Sequence, residues 1–323
     1  MEDLESGQRA SGWERSLIER FAREVLREKR RNRRWGIFFK LAFLALAIAG
    51  LLVMAGVWDW GDLPVRSERH TALIEVNGVL ESDGPVSADN LVGALQDAFK
   101  DKHTAGVVLR INSPGGSPVQ AGIVYDEIRR QRQLHPKIPL YAVIEDLGAS
   151  GAYYVAAAAD RIYVDKASLV GSIGVLIDGF GFVGTIDKLG VERRLITAGS
   201  NKGFLDSFKP VSPEELAHAK GMLAEIHEQF IAAVRQGRGE RLKADADVFN
   251  GLIWSGARSV ELGLADALGS VDLVARDVIK AEYLVDFSHH EALLDRLTKR
   301  FGASVAGALP ASLGTGSANW RLR

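Results

Sequence analysis

The chain has 323 residues, enough for one large or two small domains, and its 47% hydrophobic and 25% charged residues argue against a disordered protein. A formal net charge of −1 removes any general attraction for nucleic acid. The absence of cysteine excludes disulfides, thiolate metal sites and cysteine nucleophiles, and it suits an oxidising compartment.

Residues 1–34 form a basic N-terminal segment in which Leu17, Ile18, Phe21, Val25 and Leu26 fall on one side of a helix over 13–30. Such a helix is either simply solvated or drawn to anionic lipid headgroups. "LAFLALAIAGLLVMAGVW" (41–58) then runs without a charge. With Trp35 to Phe39 it reaches the length that spans a hydrocarbon core of roughly 30 Å. Trp35, Trp58 and Trp60 stand at its ends, as aromatic belts do, so residues 35–58 are expected to be a transmembrane anchor in the lipid bilayer. Arg23, Arg27, Lys29, Arg30, Arg31, Arg33 and Arg34 precede it, and Asp59 and Asp62 follow. The positive-inside rule then places the N-terminus in the cytoplasm and the remainder on the periplasmic or extracytoplasmic side of the inner membrane. No small-residue cleavage site follows Trp58, so the anchor is expected to stay attached.

After a linker (59–70), "TALIEVNGVL" (71–80) reads as a strand and 87–100 as a helix capped by Ser87. "AGVVLRIN" (105–112) is a strand apolar enough to be buried on both faces. The loop "SPGGSP" leads to a helix at about 119–134, and "PLYAVIE" is a further buried strand. A helix over 150–159 and the strands "RIYV", "SLVGSIGVLI" and "VERRLIT" follow. A long amphipathic helix opens at Ser212-Pro213, and "WSGARSVELGLADALG" reads as helix, turn and short strand. Strands alternating with helices predict an α/β fold with a mostly parallel sheet over 71–285. A C-terminal helix (286–302) and a disordered tail (303–323), rich in Gly, Ala and Ser, are expected to close the chain.

Two strand ends carry chemistry. Pro114, Gly115 and Gly116 end one strand, and consecutive glycines let backbone N–H groups face open space, as an oxyanion requires; an ordinary strand-to-helix turn has the same spelling. Ser150, between Gly148-Ala149 and Gly151-Ala152, ends another, and is either a tight packing joint or a nucleophile. A serine nucleophile needs a base. None of the seven histidines, His218 and His227 of the long helix among them, has a glycine-rich or strand-end setting, and each reads as a surface residue. Lysine is the other option, since a desolvated amine can accept the serine proton. Lys202 stands in a small-residue loop beside Phe204 and Leu205, where an exposed surface lysine is the plainer reading. "GFGFVG" (179–184) matches a dinucleotide fingerprint literally but lacks its acidic partner.

Taken together, "INSPGGS", "LGASGAYYVAAAADRIYVDKASLVGSIGV", "ITAGSNKGFLDSFKPVSPEE" and "LIWSGARSVELGLADALG" resemble the signal peptide peptidase SppA family in its short, SohB-like form, over about 70–275. The resemblance implies a ClpP/crotonase-like fold of repeated β-β-α units and a serine endopeptidase with a Ser-Lys dyad. It assigns Ser150 as nucleophile, Lys202 as general base and Ser172, in "GSIGV", as the residue that orients the lysine. Gly115, with the Gly151 or Ser150 amide, becomes the oxyanion hole. Position 152 departs from the family's usual second glycine, and a methyl group there is compatible with a helix. The resemblance further implies peptide substrates such as cleaved signal peptides, a closed homo-oligomer, and no metal or cofactor. A catalytically silent membrane scaffold and a crotonase-type acyl-CoA enzyme are the competing expectations.

Overall fold

A computed structural model of the chain describes residues 33–50, 68–243 and 246–289. The chain divides into two compact units, residues 1–62 with 291–323, and residues 63–290. In the first, 33–50 form one continuous helix whose large apolar side chains are all exposed, Phe43 and Leu46 the most so. Residues 51–58 of the expected anchor lie outside the described residues, as do 290–302 of the expected C-terminal helix and the tail at 303–323. Among the described residues no helix is long and apolar enough to cross a membrane.

The second unit is built on one eight-stranded sheet of β1 (His70–Asn77), β2 (Thr104–Ser113), β3 (Leu140–Ala149), β4 (Arg161–Val164), β5 (Leu169–Gly171), β6 (Ile253–Ser255), β7 (Ala267–Leu268) and β8 (Leu284–Asp286). The main path runs β6-β5-β3-β2-β1-β8, with β4 beside β3 and β7 beside β4. Every pair is parallel except β5 with β6. Helices α1 (Ala88–Lys100) and α2 (Pro118–Leu134) cross over between the first three strands, as parallel pairing demands. This is the α/β architecture expected from the alternation.

The strand residues divide by parity between two cores. Ala72, Ile74 and Val76 of β1, Val107, Leu109 and Ile111 of β2, and Ala142 and Ile144 of β3 face the larger one. Leu73, Val108 and Val143 face the smaller one, with Tyr163, Val274 and Ile279. Burial on both faces explains the near-continuous apolar runs of the central strands. Each fully buried aliphatic side chain contributes about 1.5–3 kcal/mol. Helix α1 buries Leu91, Ala94, Leu95, Ala98 and Phe99, one helical stripe, and Ser87 caps it by accepting the Asn90 N–H at 3.3 Å. Ser117 caps α2 in the same way, accepting from Gln120 N–H at 3.4 Å.

Two features set up the site. First, β3 changes partner along its length: Tyr141 to Ile144 pair with β4, whereas Leu147 to Ala149 pair with β5. Helix α3 (Gly151–Ala156) starts where that second ladder stops. Second, α5 (Pro213–Arg238), after the short α4 (Val183–Lys188), is opened by a reciprocal capping box. Ser212 Oγ accepts from Glu215 N–H at 3.2 Å, and the Glu215 carboxylate accepts from Ser212 N–H at 3.0 Å. Its far end is anchored by the buried Arg238, whose Nη1 lies 2.8 Å from Asp266 Oδ2.

The segment between β5 and α5 departs from expectation. "SLVGSIGVLI" contributes only the three residues of β5, and "VERRLIT" (191–197) forms no strand. An apolar run becomes a strand only where a neighbour accepts its hydrogen bonds, and this stretch pairs with no strand among the described residues. Ile196 is 95% exposed and Leu176 79%. "GFGFVG" lies in the same exposed segment, with no strand leading directly into it.

Candidate active site

Ser150 stands at the junction of β3 and α3 with φ 54° and ψ −127°, a backbone that L residues rarely adopt and that stores about 1–3 kcal/mol of strain. Its N–H donates to the Gly171 carbonyl at 2.9 Å, extending the β3–β5 ladder by one rung, and its carbonyl accepts from Tyr154 N–H at 3.0 Å. The hydroxyl makes no capping bond to the helix. The ladder on one side and the helix on the other thus hold the backbone, while the side chain stays free to react.

The Gly115-Gly116 loop packs directly on this turn. Gly115 has φ 90°, and a Cβ there would stand 2.5 Å from Gly151 N and 2.7 Å from the Ala149 carbonyl oxygen. A Cβ on Gly116, at φ 149°, would meet the Leu80 carbonyl oxygen at 2.2 Å. The loop is stitched to Leu80 on both sides: Leu80 N–H donates to Gly115 O at 2.9 Å, and Ser117 N–H to Leu80 O at 2.8 Å. Only glycine fits at either position. The Gly115 N–H points to the buried Ser113, whose Oγ accepts it at 3.1 Å.

A cavity of about 1010 Å³ opens over Ser150. Gly116, Gly151, Ser172 and His227 share its lining with the serine. Val119, Ile123, Val175, Leu176, Ile226 and Phe230 make much of the remainder apolar. Tyr154 stacks on Phe230 at 4.9 Å and meets Tyr125 edge-on at 5.2 Å, forming an aromatic wall. Burial pushes the phenols of both tyrosines above their ordinary range, so they remain neutral donors.

Ser150, Ser172 and Gly151 are therefore brought to one cavity. Gly115 lies just behind its wall, and Gly116 lines it instead. Lys202 is exposed, in the turn where its N–H donates to Gly199 O at 3.1 Å, and it does not line the cavity. The sequence does not single out Gly116 as a separate donor, and His227, which reads there as a surface residue, lines the cavity instead. His227 falls one turn before Phe230, and that spacing on the buried side of α5 is the signal that was available. Among the described residues no group of His, Asp or Glu is arranged to hold a metal ion.

A strained serine with a free hydroxyl, set at a strand end against a glycine loop and an apolar cavity, is the arrangement of an α/β serine hydrolase. Residues 132–284 match the model of peptidase family S49, and the chain is similar to SppA-type proteases. A Na(+)/H(+) antiporter NhaA of Brucella melitensis is 41% identical over 209 residues, 63% of this chain and 28% of that protein. A candidate signal peptide peptidase SppA of Enterococcus faecium is 28% identical over 264 residues, 79% of this chain and 73% of the relative. Protease 4 of Haemophilus influenzae is 28% identical over 250 residues, 72% of this chain and 38% of the relative. The chain thus spans well under half the length of the antiporter and of Protease 4.

Proposed function

We propose that the chain is a membrane-anchored serine endopeptidase with a Ser-Lys dyad on a ClpP/crotonase-like fold, hydrolysing short apolar peptides such as cleaved signal peptides. The observation that carries this reading is the Ser150 backbone, held at φ 54° with its hydroxyl free on an apolar cavity. Ser150 Oγ attacks the peptide carbonyl carbon as Lys202 takes the hydroxyl proton. The carbonyl oxygen becomes an oxyanion stabilised by backbone N–H groups. Because Ser113 Oγ holds the Gly115 N–H, the loop's donor is the Gly116 N–H, paired with that of Gly151. Gly116 N lies 3.4 Å from where a Cβ on Gly151 would stand, so the two amides are close neighbours. The lysine then protonates the leaving amine as the C–N bond breaks, and water releases the acyl group from Ser150 by the same route.

Lys202 reaches Ser150 when the exposed segment that carries it is packed. Phe180 (77% exposed), Leu189 (71%) and Ile196 (95%) belong to that segment, an apolar surface that supports association of copies of this chain. Ser172, on the cavity with Ser150, then orients the amine. The apolar helix at 33–50 and the charges flanking 35–58 support an anchor with the catalytic unit on the extracytoplasmic side.

The test is hydrolysis of a quenched peptide copied from a signal-sequence apolar core by the full chain in detergent, beside Ser150→Ala and Lys202→Ala. Cleavage by the wild type with both variants inactive and still assembled is the expected result. An inactive wild type with intact assembly would instead favour a scaffold.

A further inference from the structure

The turn after β5 is held from three sides. Gly171 O accepts from Ser150 N–H at 2.9 Å, and Ser172 N–H donates to Leu252 O at 2.7 Å. The third hold is a side chain: His227 Nε2 lies 3.0 Å from Ile173 O. A carbonyl can only accept, so in this contact the imidazole carries its proton on Nε2. Ser172 has φ 51°, a conformation that an L residue keeps only when its surroundings enforce it. Ile173 lies beyond the end of β5 with its side chain fully buried, so the strand ladder does not reach its carbonyl.

The histidine is mounted on a rigid support. It stands one turn before Phe230 on α5, and Phe230 is fixed by stacking on Tyr154, four residues after Ser150. The imidazole therefore links a helix locked by packing to the turn that carries Ser172 and supports the Ser150 backbone. His227 also lines the cavity itself.

We propose that His227 is a positioning residue for the peptidase reaction. Its Nε2–H holds the Ile173 carbonyl and so fixes both the Ser172 hydroxyl and the Gly171 carbonyl on which Ser150 rests. The inference rests on the peptidase reading of the Ser150 cavity, and it assigns the imidazole a donor role rather than that of a base.

The experiment compares His227→Leu, which removes the donor, with His227→Gln, whose amide donates from a similar reach but does not take up a proton. His227→Asn, one methylene shorter, serves as a polar control. The full chain in detergent is assayed for peptide kcat and KM, for melting temperature, and for the rate at which a fluorophosphonate labels Ser150. A misplaced turn lowers kcat and labelling by about 10–100-fold in the Leu and Asn variants with KM within about twofold, and the Gln variant returns to within about threefold of wild type. Wild-type kcat in His227→Leu overturns the proposal. So does a Gln variant as impaired as the Leu variant, and if Lys202→Ala stays active in that case, His227 is the base. A wild type that labels at Ser150 without cleaving peptides defeats the peptidase reading, while the labelling rates still decide the role of His227. Absence of both labelling and cleavage overturns both.

Discussion

Gly171 accepts the backbone N–H of Ser150 at 2.9 Å, and both residues hold positive φ, 109° and 54°. The conformation of the serine is thus imposed by the ladder between β3 and β5, which ends in this rung. Strain stored at such a place is offset by the packing of the two strands, and it keeps the hydroxyl clear of the helix that follows.

That strain has a measurable sign. Ser150→Gly relieves the positive φ, whereas Ser150→Ala retains it. With the flexibility of glycine in the unfolded chain subtracted, the Gly variant should be more stable than the Ala variant by about 1 kcal/mol. Urea unfolding of both inactive variants reads the difference. Equal midpoints, or a less stable Gly variant, would show that the serine backbone carries no strain.

Gly115 and Gly116 make an opposite prediction. A methyl group on Gly115 meets Gly151 N at 2.5 Å, and one on Gly116 meets Leu80 O at 2.2 Å, both from backbones of positive φ. Either Ala variant should lose about 2–4 kcal/mol by overpacking and backbone strain together. Their activity should fall further than their stability predicts, because the displaced atoms belong to the Ser150 turn and the loop that covers it. Peptide hydrolysis at a temperature where the variant is still folded separates the two effects.

The sheet and the serine are readable in the sequence for a shared reason. The apolar runs of β1 to β3 are local signals, and β2 and β3 end in small residues that mark where the chain turns, at Gly115-Gly116 and at Gly148 to Gly151. Ser87, Ser117 and Ser212 spell their caps equally plainly. The stretch from 172 to 208 is another matter. Val191 to Thr197 has strand composition, but a strand depends on a neighbour that local sequence does not name, and here it has none among the described residues. His227 is hidden differently: its partner is a backbone carbonyl 54 residues away. Nothing in its own surroundings announces that contact.

Between α1 and α2, Glu127 gathers four donated bonds, from Arg130 Nε and Nη2, from Gln131 Nε2 (all at 2.7 Å) and from Gln96 Nε2 at 3.2 Å. The Arg130 bonds, against some opposing burial and with help from both amides, hold its carboxyl down from 4.5 to about 2. A depressed folded pKa stabilises the protein above the unfolded value, and that contribution is lost as pH falls from 4.5 through about 2. Glu127→Gln should therefore flatten the acid limb of the stability curve across that window. It should leave the peptidase cavity unaffected. Melting temperature followed from pH 6 down to about pH 2 tests this; parallel curves for wild type and variant would remove Glu127 from the acid response.

The exposed segment is where the proposed assembly would meet the chemistry. Leu176 lines the Ser150 cavity and is nevertheless 79% exposed, while Ile196, at 95%, lies six residues before Lys202. A charge at either position costs little in the isolated chain, since both side chains are already in water. In an assembly that covers them, the same charge is desolvated without a partner. Ile196→Glu and Leu176→Asp should thus leave the melting temperature of the isolated chain within a few degrees of wild type. They should also shift sedimentation towards the single chain, and peptide hydrolysis should fall with the assembled fraction. If Ile196→Glu sediments as a single chain yet cleaves at the wild-type rate, Lys202 reaches Ser150 within one chain and the segment closes on its own cavity. If it remains assembled and active, the apolar run is surface, and the base must be sought elsewhere on the cavity wall.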